Sequence, residues 1–158
     1  MQLTQFSDYA LRVLLYLAAH PDGASVGVIA RSYRISHHHL AKVVQRLADL
    51  GLVASTRGRG GGLKLAVAPE EINIGALIRR TEPHLDLVEC FDPATNTCPI
   101  APACGLKGAL AQAKRAFLTV LDGYTVASIA GGAEQMVGLW ATARDGADRI
   151  GQPIDPAP

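Results

Sequence analysis

Cys90, Cys98 and Cys104 lie within one 15-residue stretch of a 158-residue chain, spaced C-x7-C-x5-C, and no other cysteine occurs. An odd count argues against a disulfide framework, which wants paired cysteines and a secreted setting. Thiols acting as ligands or sensors in a reduced compartment are the economical reading. Pro83, Pro93, Pro99 and Pro102 keep the surrounding segment irregular. Thiolates on such backbone can converge on a polynuclear iron cluster, which needs about four ligands. The loop has three, so the fourth must come from elsewhere in the protein or from a small molecule. Zinc is disfavoured because the tight C-x2-C pairs usual in structural zinc sites are absent. A thiol redox switch, or a set of inert cysteines, would also fit this spacing.

A second set of residues suits a polyanion. Arg31, Arg34, Lys42, Arg46, Arg57, Arg59 and Lys64 crowd one part of the chain, where cations would neutralise phosphates and release condensed counterions. Base reading would fall to Ser36, His37, His38, His39 and Lys42, on the first turns of a helix that enters the major groove. Arg57 and Arg59 stand on a glycine-rich tip able to enter the flanking minor groove, whose negative potential attracts arginine. Two look-alikes fail. Arg57 to Gly62 lacks the Lys-Ser or Lys-Thr pair of a phosphate loop. His37-His38-His39 point about 100° apart on a helix, unlike the i,i+4 spacing of helical metal ligands.

These residues need elements to position them. Leu11, Leu14, Leu15 and Ala18 recur at helical spacing over Thr4 to Ala19, before the breakers His20-Pro21-Asp22-Gly23. Ser25 and Ser36 each precede an apolar-periodic run and are expected to cap a helix with the side chain, and Gly51 closes the second of these. Only Tyr33-Arg34-Ile35 separates the two helices, which fits a helix-turn-helix. Leu52 to Thr56 and Leu63 to Val67 are β-prone runs joined by the glycine tip, a hairpin placed as a wing. Pro69-Glu70-Glu71 open a short helix through Ile74, Leu77 and Ile78. Leu106, Leu110, Ala113, Phe117, Leu121 and Tyr124 then form one apolar stripe, which on a protruding helix wants a partner helix. Beyond Gly131-Gly132, the stretch Thr142 to Pro158 is rich in Asp, Gly and Pro and is expected to be poorly ordered.

Taken together, these motifs resemble the Rrf-type family of dimeric winged-helix iron-sulfur regulators, and within it the nitric-oxide-sensing repressors. The likeness covers about residues 1–130. It rests on Met1-Gln2-Leu3-Thr4-Gln5-Phe6-Ser7-Asp8-Tyr9-Ala10-Leu11-Arg12, Ser36 to Val44, the wing Arg57 to Leu63, and Pro102-Ala103-Cys104-Gly105-Leu106-Lys107. A sister branch that controls cluster assembly uses a histidine shortly after the last cysteine, whereas this chain has Gly105-Leu106-Lys107 there. The resemblance implies that Cys90, Cys98 and Cys104 bind a 4Fe-4S cluster, or failing that a 2Fe-2S one. It also implies that Asp8 from the partner subunit completes the cluster, with Asp8 and Arg12 coupling it to DNA. Without it, Asp8 is a first-turn carboxylate favoured by the helix dipole and paired with Arg12 at i,i+4. A carboxylate is a weaker iron partner than thiolate, which leaves one site easier for nitric oxide to displace. The eight-residue step from Cys90 to Cys98 and the extended tail depart from the family pattern.

The expected architecture is mainly α with a small β wing. It comprises a winged helix-turn-helix DNA-binding domain over 1–68, a connecting helix over 69–83, a cluster-binding loop over 84–104, a dimerisation helix over 105–130 and a C-terminal extension over 131–158. Charge divides along the same lines. Through Val67 there are 8 basic and 3 acidic residues, a net +5, and beyond it 7 and 11, a net −4. At 49% hydrophobic and 18% charged, the chain can form a real core. No apolar run reaches the roughly 20 residues of a membrane span, and the first residues do not read as a signal peptide, so a cytoplasmic location is expected; the resemblance implies a homodimer on double-stranded palindromic operator DNA. No substrate motif or nucleophile with a partner base is present, which points away from an enzyme. The rival readings are a family regulator sensing cluster status or redox, and an iron-sulfur electron carrier or enzyme.

Overall fold

The first helix starts where a side chain can satisfy its open N–H groups. Thr4 accepts from the Ser7 N–H at 3.3 Å, and α1 runs Gln5–Ala19. In this computed structural model, which describes residues 2–56 and 62–150, α1 is the central element. Ala10, Val13, Leu14 and Leu17 are buried along one face of it. Ser25 caps α2 (Val26–Tyr33) by accepting from Val28 N–H at 3.3 Å. The turn into α3 (His37–Asp49) is made by Arg34 in the left-handed conformation, φ 56° and ψ 41°. Ile35 N–H reaches back to the Ala30 carbonyl at 2.9 Å to close it. Ser36 occupies the N-cap of α3, but its side chain makes no capping hydrogen bond, contrary to expectation. Gly51, at φ +72°, ends α3 as foreseen, and Leu52 N–H bonds the Leu47 carbonyl at 3.0 Å.

β1 (Val53–Ser55) and β2 (Leu63–Leu65) pair antiparallel, Val53 opposite Leu65 and Ser55 opposite Leu63. They form a wing directly after the helix-turn-helix, and Leu63 also bridges Ala24. Leu40, Val43 and Leu47 of α3 join Ile29 of α2 and the α1 face in a common core. The fold is therefore mainly helical, with one two-stranded sheet among the described residues.

The later helices differ from their expected bounds. Pro69–Glu71 form only a 3-10 turn, and the connecting helix α4 begins at Ile74 and ends at Thr81. Asn73 supplies its cap, accepting from Ala76 N–H at 2.9 Å. α5 spans Gly105–Asp122 and stops there, so Tyr124 falls outside the helix whose stripe it seemed to extend. The reason is tertiary. Asn73 Nδ2 donates to the carbonyls of Asp122 (2.7 Å) and Tyr124 (3.3 Å), and Thr125 caps a new short helix, α6 (Val126–Ile129), with Ser128. A further helix occupies the extension and runs past Thr142. α7 runs Ala133–Ile150 and packs on α2 and α1. Residues 151–158, part of the stretch expected to be disordered, lie outside the described residues, as does Met1.

α4 and α5 are joined by a two-pronged ion pair, Arg79 Nη1 and Nη2 to the Asp122 carboxylate at 2.5 and 2.8 Å. Asp122 is held below its usual pKa by that hydrogen-bonded guanidinium. The pair needs Gly75, because a Cβ there would run into the Asp122 carboxylate. Alanine normally gains about 1 kcal/mol over glycine in a helix interior. Here Gly75→Ala is expected to lower the melting temperature instead, as followed by circular dichroism.

Candidate metal centre and DNA-reading face

The thiol loop is fastened by its own polar contacts. Cys90 sits in a 3-10 turn, Glu89–Phe91, and is buried, while Cys98 and Cys104 are half-exposed. Beside Cys90, Glu89 accepts from Thr97 Oγ1 at 3.2 Å. Asp92 accepts from Ala94 N–H and Thr95 Oγ1 at 2.9 and 3.0 Å. Cys98 N–H donates to Asn96 Oδ1 at 3.1 Å, and a second 3-10 turn, Ala101–Ala103, leads to Cys104. Lys114 of α5 pins the loop from the other side. Its ammonium lies 4.7 Å from the Phe91 ring centroid and 3.1 Å from Asp86 Oδ1.

All three thiols are free. Cys104 is also the N-cap residue of α5, where no side-chain hydrogen bond fills the first turn. Open N–H groups at a helix start favour a negatively charged ligand. The donor set therefore suits a soft, anionic thiolate centre. Among the described residues, no three His, Cys, Asp or Glu side chains gather closely enough to grip a single metal ion, His37, His38 and His39 included.

Asp8 is in the first turn of α1, paired with Arg12 in the same chain at 2.7 Å. This is the i,i+4 contact its spacing allows. Just before it, a latch not foreseen from sequence ties α1 to the root of the thiol loop. Thr4 N–H and Oγ1 both donate to Glu82 Oε1, at 2.9 and 3.1 Å. Ser7 and Thr81 share a buried hydroxyl–hydroxyl hydrogen bond of 2.7 Å. Thr81 also donates to the Leu77 carbonyl, at 3.1 Å. The serine and threonines were visible in the sequence, but their pairing across more than 70 residues was not.

Ser36, His37, His38, His39 and Lys42 are all exposed along α3, and His39 and Lys42 share a groove with Gln5, Phe6 and Tyr9 of α1. Leu40, Val43 and Val44 on its other face are buried. Lys64 is half-buried on β2, and Arg57 and Arg59 lie outside the described residues. An exposed basic helix face beside a short wing is the arrangement of a winged-helix DNA reader. Residues 3–132 match the family described as "Rrf2: Iron-dependent Transcriptional regulator". The chain belongs to the Rrf2 family.

Its curated relatives agree. The HTH-type transcriptional regulator NsrR of Shouchella clausii is 54% identical over 128 residues, 80% of this chain and 86% of that protein. NsrR of Bacillus subtilis is 48% identical over 141 residues, covering 88% and 97%. Among solved structures, CymR, the global cysteine regulator of B. subtilis, superposes with a TM-score of 0.66 at 28% identity, covering 82% of this chain and 96% of that one. T. potens IscR gives the same TM-score at 25% identity, covering 85% and 90%. The Rrf2 chain is accordingly a DNA-binding transcriptional regulator of the winged-helix kind, and no helix among its described residues is long and apolar enough to cross a membrane.

Proposed function

We propose that this chain is a homodimeric repressor that holds a palindromic operator and releases it in response to nitric oxide, sensed at an iron-sulfur cluster bound by Cys90, Cys98 and Cys104 with Asp8 of the partner subunit. The observation that carries this reading is a loop of three free thiols that ends on the N-cap of α5. The similarity to NsrR regulators supports it. Within the family, it favours a nitric-oxide sensor over a sensor of cluster status or redox. A bound cluster, 4Fe-4S in preference to 2Fe-2S, would supply iron that nitric oxide can attack.

The chain's own residues do the rest. Asp8 and Arg12 are each about 40% exposed (side chains 43% and 40%), and such surface pairs contribute only about 0–1 kcal/mol, so Arg12 can surrender the carboxylate at small cost. The latch of Thr4 and Ser7 onto Glu82 and Thr81 keeps the turn that bears Asp8 in fixed relation to the loop's root. α1 packs directly on α3, so a shift of its first turn reaches the reading face. Two arrangements separated by a few kcal/mol suffice for this coupling.

Dimerisation would use α5. None of its residues is buried in the single chain, and Leu106 and Val120 are 65% and 60% exposed. Leu110 and Ala113 of α5 line a groove of about 570 Å³ with Leu3, Leu85 and Leu87, leaving an apolar strip for a second copy. Two heads so joined would meet successive major grooves through Ser36, His37, His38, His39 and Lys42, with Arg57, Arg59 and Lys64 on the flanks.

Operator affinity of anaerobically purified protein should fall at least about tenfold on adding nitric oxide, a coupling of the usual size. Protein lacking iron and sulfide, or an affinity indifferent to nitric oxide, overturns the reading.

A further inference from the structure

The helix α7 packs back onto the reading head. Trp140 of α7, the only tryptophan, is 7% exposed. Its ring centroid lies 4.8 Å from Tyr16, 5.6 Å from His20 and 5.5 Å from Tyr33. Tyr16 and His20 are themselves stacked at 4.1 Å and 6°, and His20 Nδ1 is 2.8 Å from the Tyr16 carbonyl oxygen. Aromatic pairs at these separations stabilise one another beyond the area they bury. One indole thus closes a box walled by α1 and α2.

Tyr33 is the wall that matters most. It is the last residue of α2, immediately before Arg34, whose left-handed backbone is unfavourable for a non-glycine residue. That turn sets the angle of α3 and so needs support from outside itself. The Arg12 guanidinium also lies over Tyr33, 5.6 Å from the ring centroid, and Arg12 is in turn the partner of Asp8. Burial pushes the Tyr33 phenol well up from its ordinary range, only partly offset by Arg12, so the ring stays neutral within the stack. Direct contacts therefore run Trp140, Tyr33, Arg12, Asp8.

We propose that Trp140 is a positioning residue for the recognition helix: seated against Tyr33, it holds the turn from α2 to α3, and through Arg12 it registers whether Asp8 is kept locally or drawn to another ligand. The first half rests on DNA binding, and the second on the part given to Asp8 above.

Because Trp140 is the only tryptophan, its emission reports its own seat. In the full, metal-free chain, Trp140 should emit as a buried indole, and Arg12→Ala should move that emission toward the solvated value and increase quenching by iodide. A solvated spectrum in the parent chain, or a spectrum unmoved by Arg12→Ala, overturns the proposal. For the DNA half, the probe is a duplex selected by the parent chain from a random-sequence library. Trp140→Ala should weaken binding about tenfold, Trp140→Phe should restore it to within about twofold, and Leu139→Ala, at an exposed position of the same helix, should leave it unchanged. Circular dichroism at the assay temperature confirms that each variant is folded. Equal affinity of Trp140→Ala and parent, or a loss that phenylalanine does not restore, overturns the positioning role. If Trp140→Ala does not fold, the emission of the parent and of Arg12→Ala still decides. A parent chain that selects no duplex refutes the regulator reading instead, while the emission result stands independently.

Discussion

A Cys98→Ala chain is expected to fold normally, to carry no stoichiometric iron and sulfide, and to lose its response to nitric oxide entirely. Cys98 is half-exposed, and the hydrogen bonds it makes in the loop, its N–H to Asn96 and its carbonyl from Ala101 N–H, are backbone ones that alanine keeps. Removing the sulfur would therefore delete the ligand proposed above and little else. Cys90 is a poorer test because it is buried, and truncating it also opens the packing of its turn against α5. Iron and sulfide analysis with anaerobic native mass spectrometry reads the first effect, and an operator titration with and without nitric oxide reads the second. A Cys98→Ala protein that still binds iron, or still responds, removes the basis for a cluster on this loop.

The second large effect is on stability. Leu40 is fully buried beneath α3, two residues from exposed Lys42. Leu40→Ala is expected to cost about 3 kcal/mol, in the range for truncating a buried leucine where the cavity cannot collapse. For a chain of this size that is a fall in melting temperature of roughly 10 °C. Lys42→Ala should behave in the opposite way. Its melting should be unchanged, but the slope of log affinity against log salt should drop by about one unit if the ammonium neutralises a phosphate. Thermal melts and salt-dependent binding of the two variants form a crossed test. If Leu40→Ala melts like the parent, α3 is not seated on the core as described. If Lys42→Ala keeps the full salt slope, Lys42 does not face the backbone.

The head was largely legible in the sequence because its signals are local. The period of α1, the Ser25 cap and the Gly51 stop each act within a few residues, and each is found where expected. Ser36 shows the limit of such reasoning: it has the right type at the right position, yet its hydroxyl leaves the helix N–H groups open. The errors lie where a distant partner decides. The α5 stripe continues to Tyr124 on paper, but Asn73, some 50 residues earlier, claims the Asp122 and Tyr124 carbonyls and ends the helix. The stretch from Thr142 looked like a tail because Asp, Gly and Pro accumulate in it, and nothing local announced the helix α7 that runs into it. Trp140 makes that helix worth forming only once Tyr16, His20 and Tyr33 are gathered in one place. For the thiol loop, spacing suggested the metal class but could not supply the fourth ligand. Asp8 came from resemblance, and its visible contact is the local one with Arg12.

Cys104 is both the last thiol of the loop and the first boundary of α5. No linker separates the two, so there is no slack between them. If that residue shifts enough to add or release one helical residue, the start of α5 moves by about 1.5 Å along its axis and by about 100° around it. Were α5 the seam between two subunits, such a step would lengthen or shorten the seam by one residue at its loop end. The machine would then work as a ratchet on the helix end rather than as a hinge in a flexible strap.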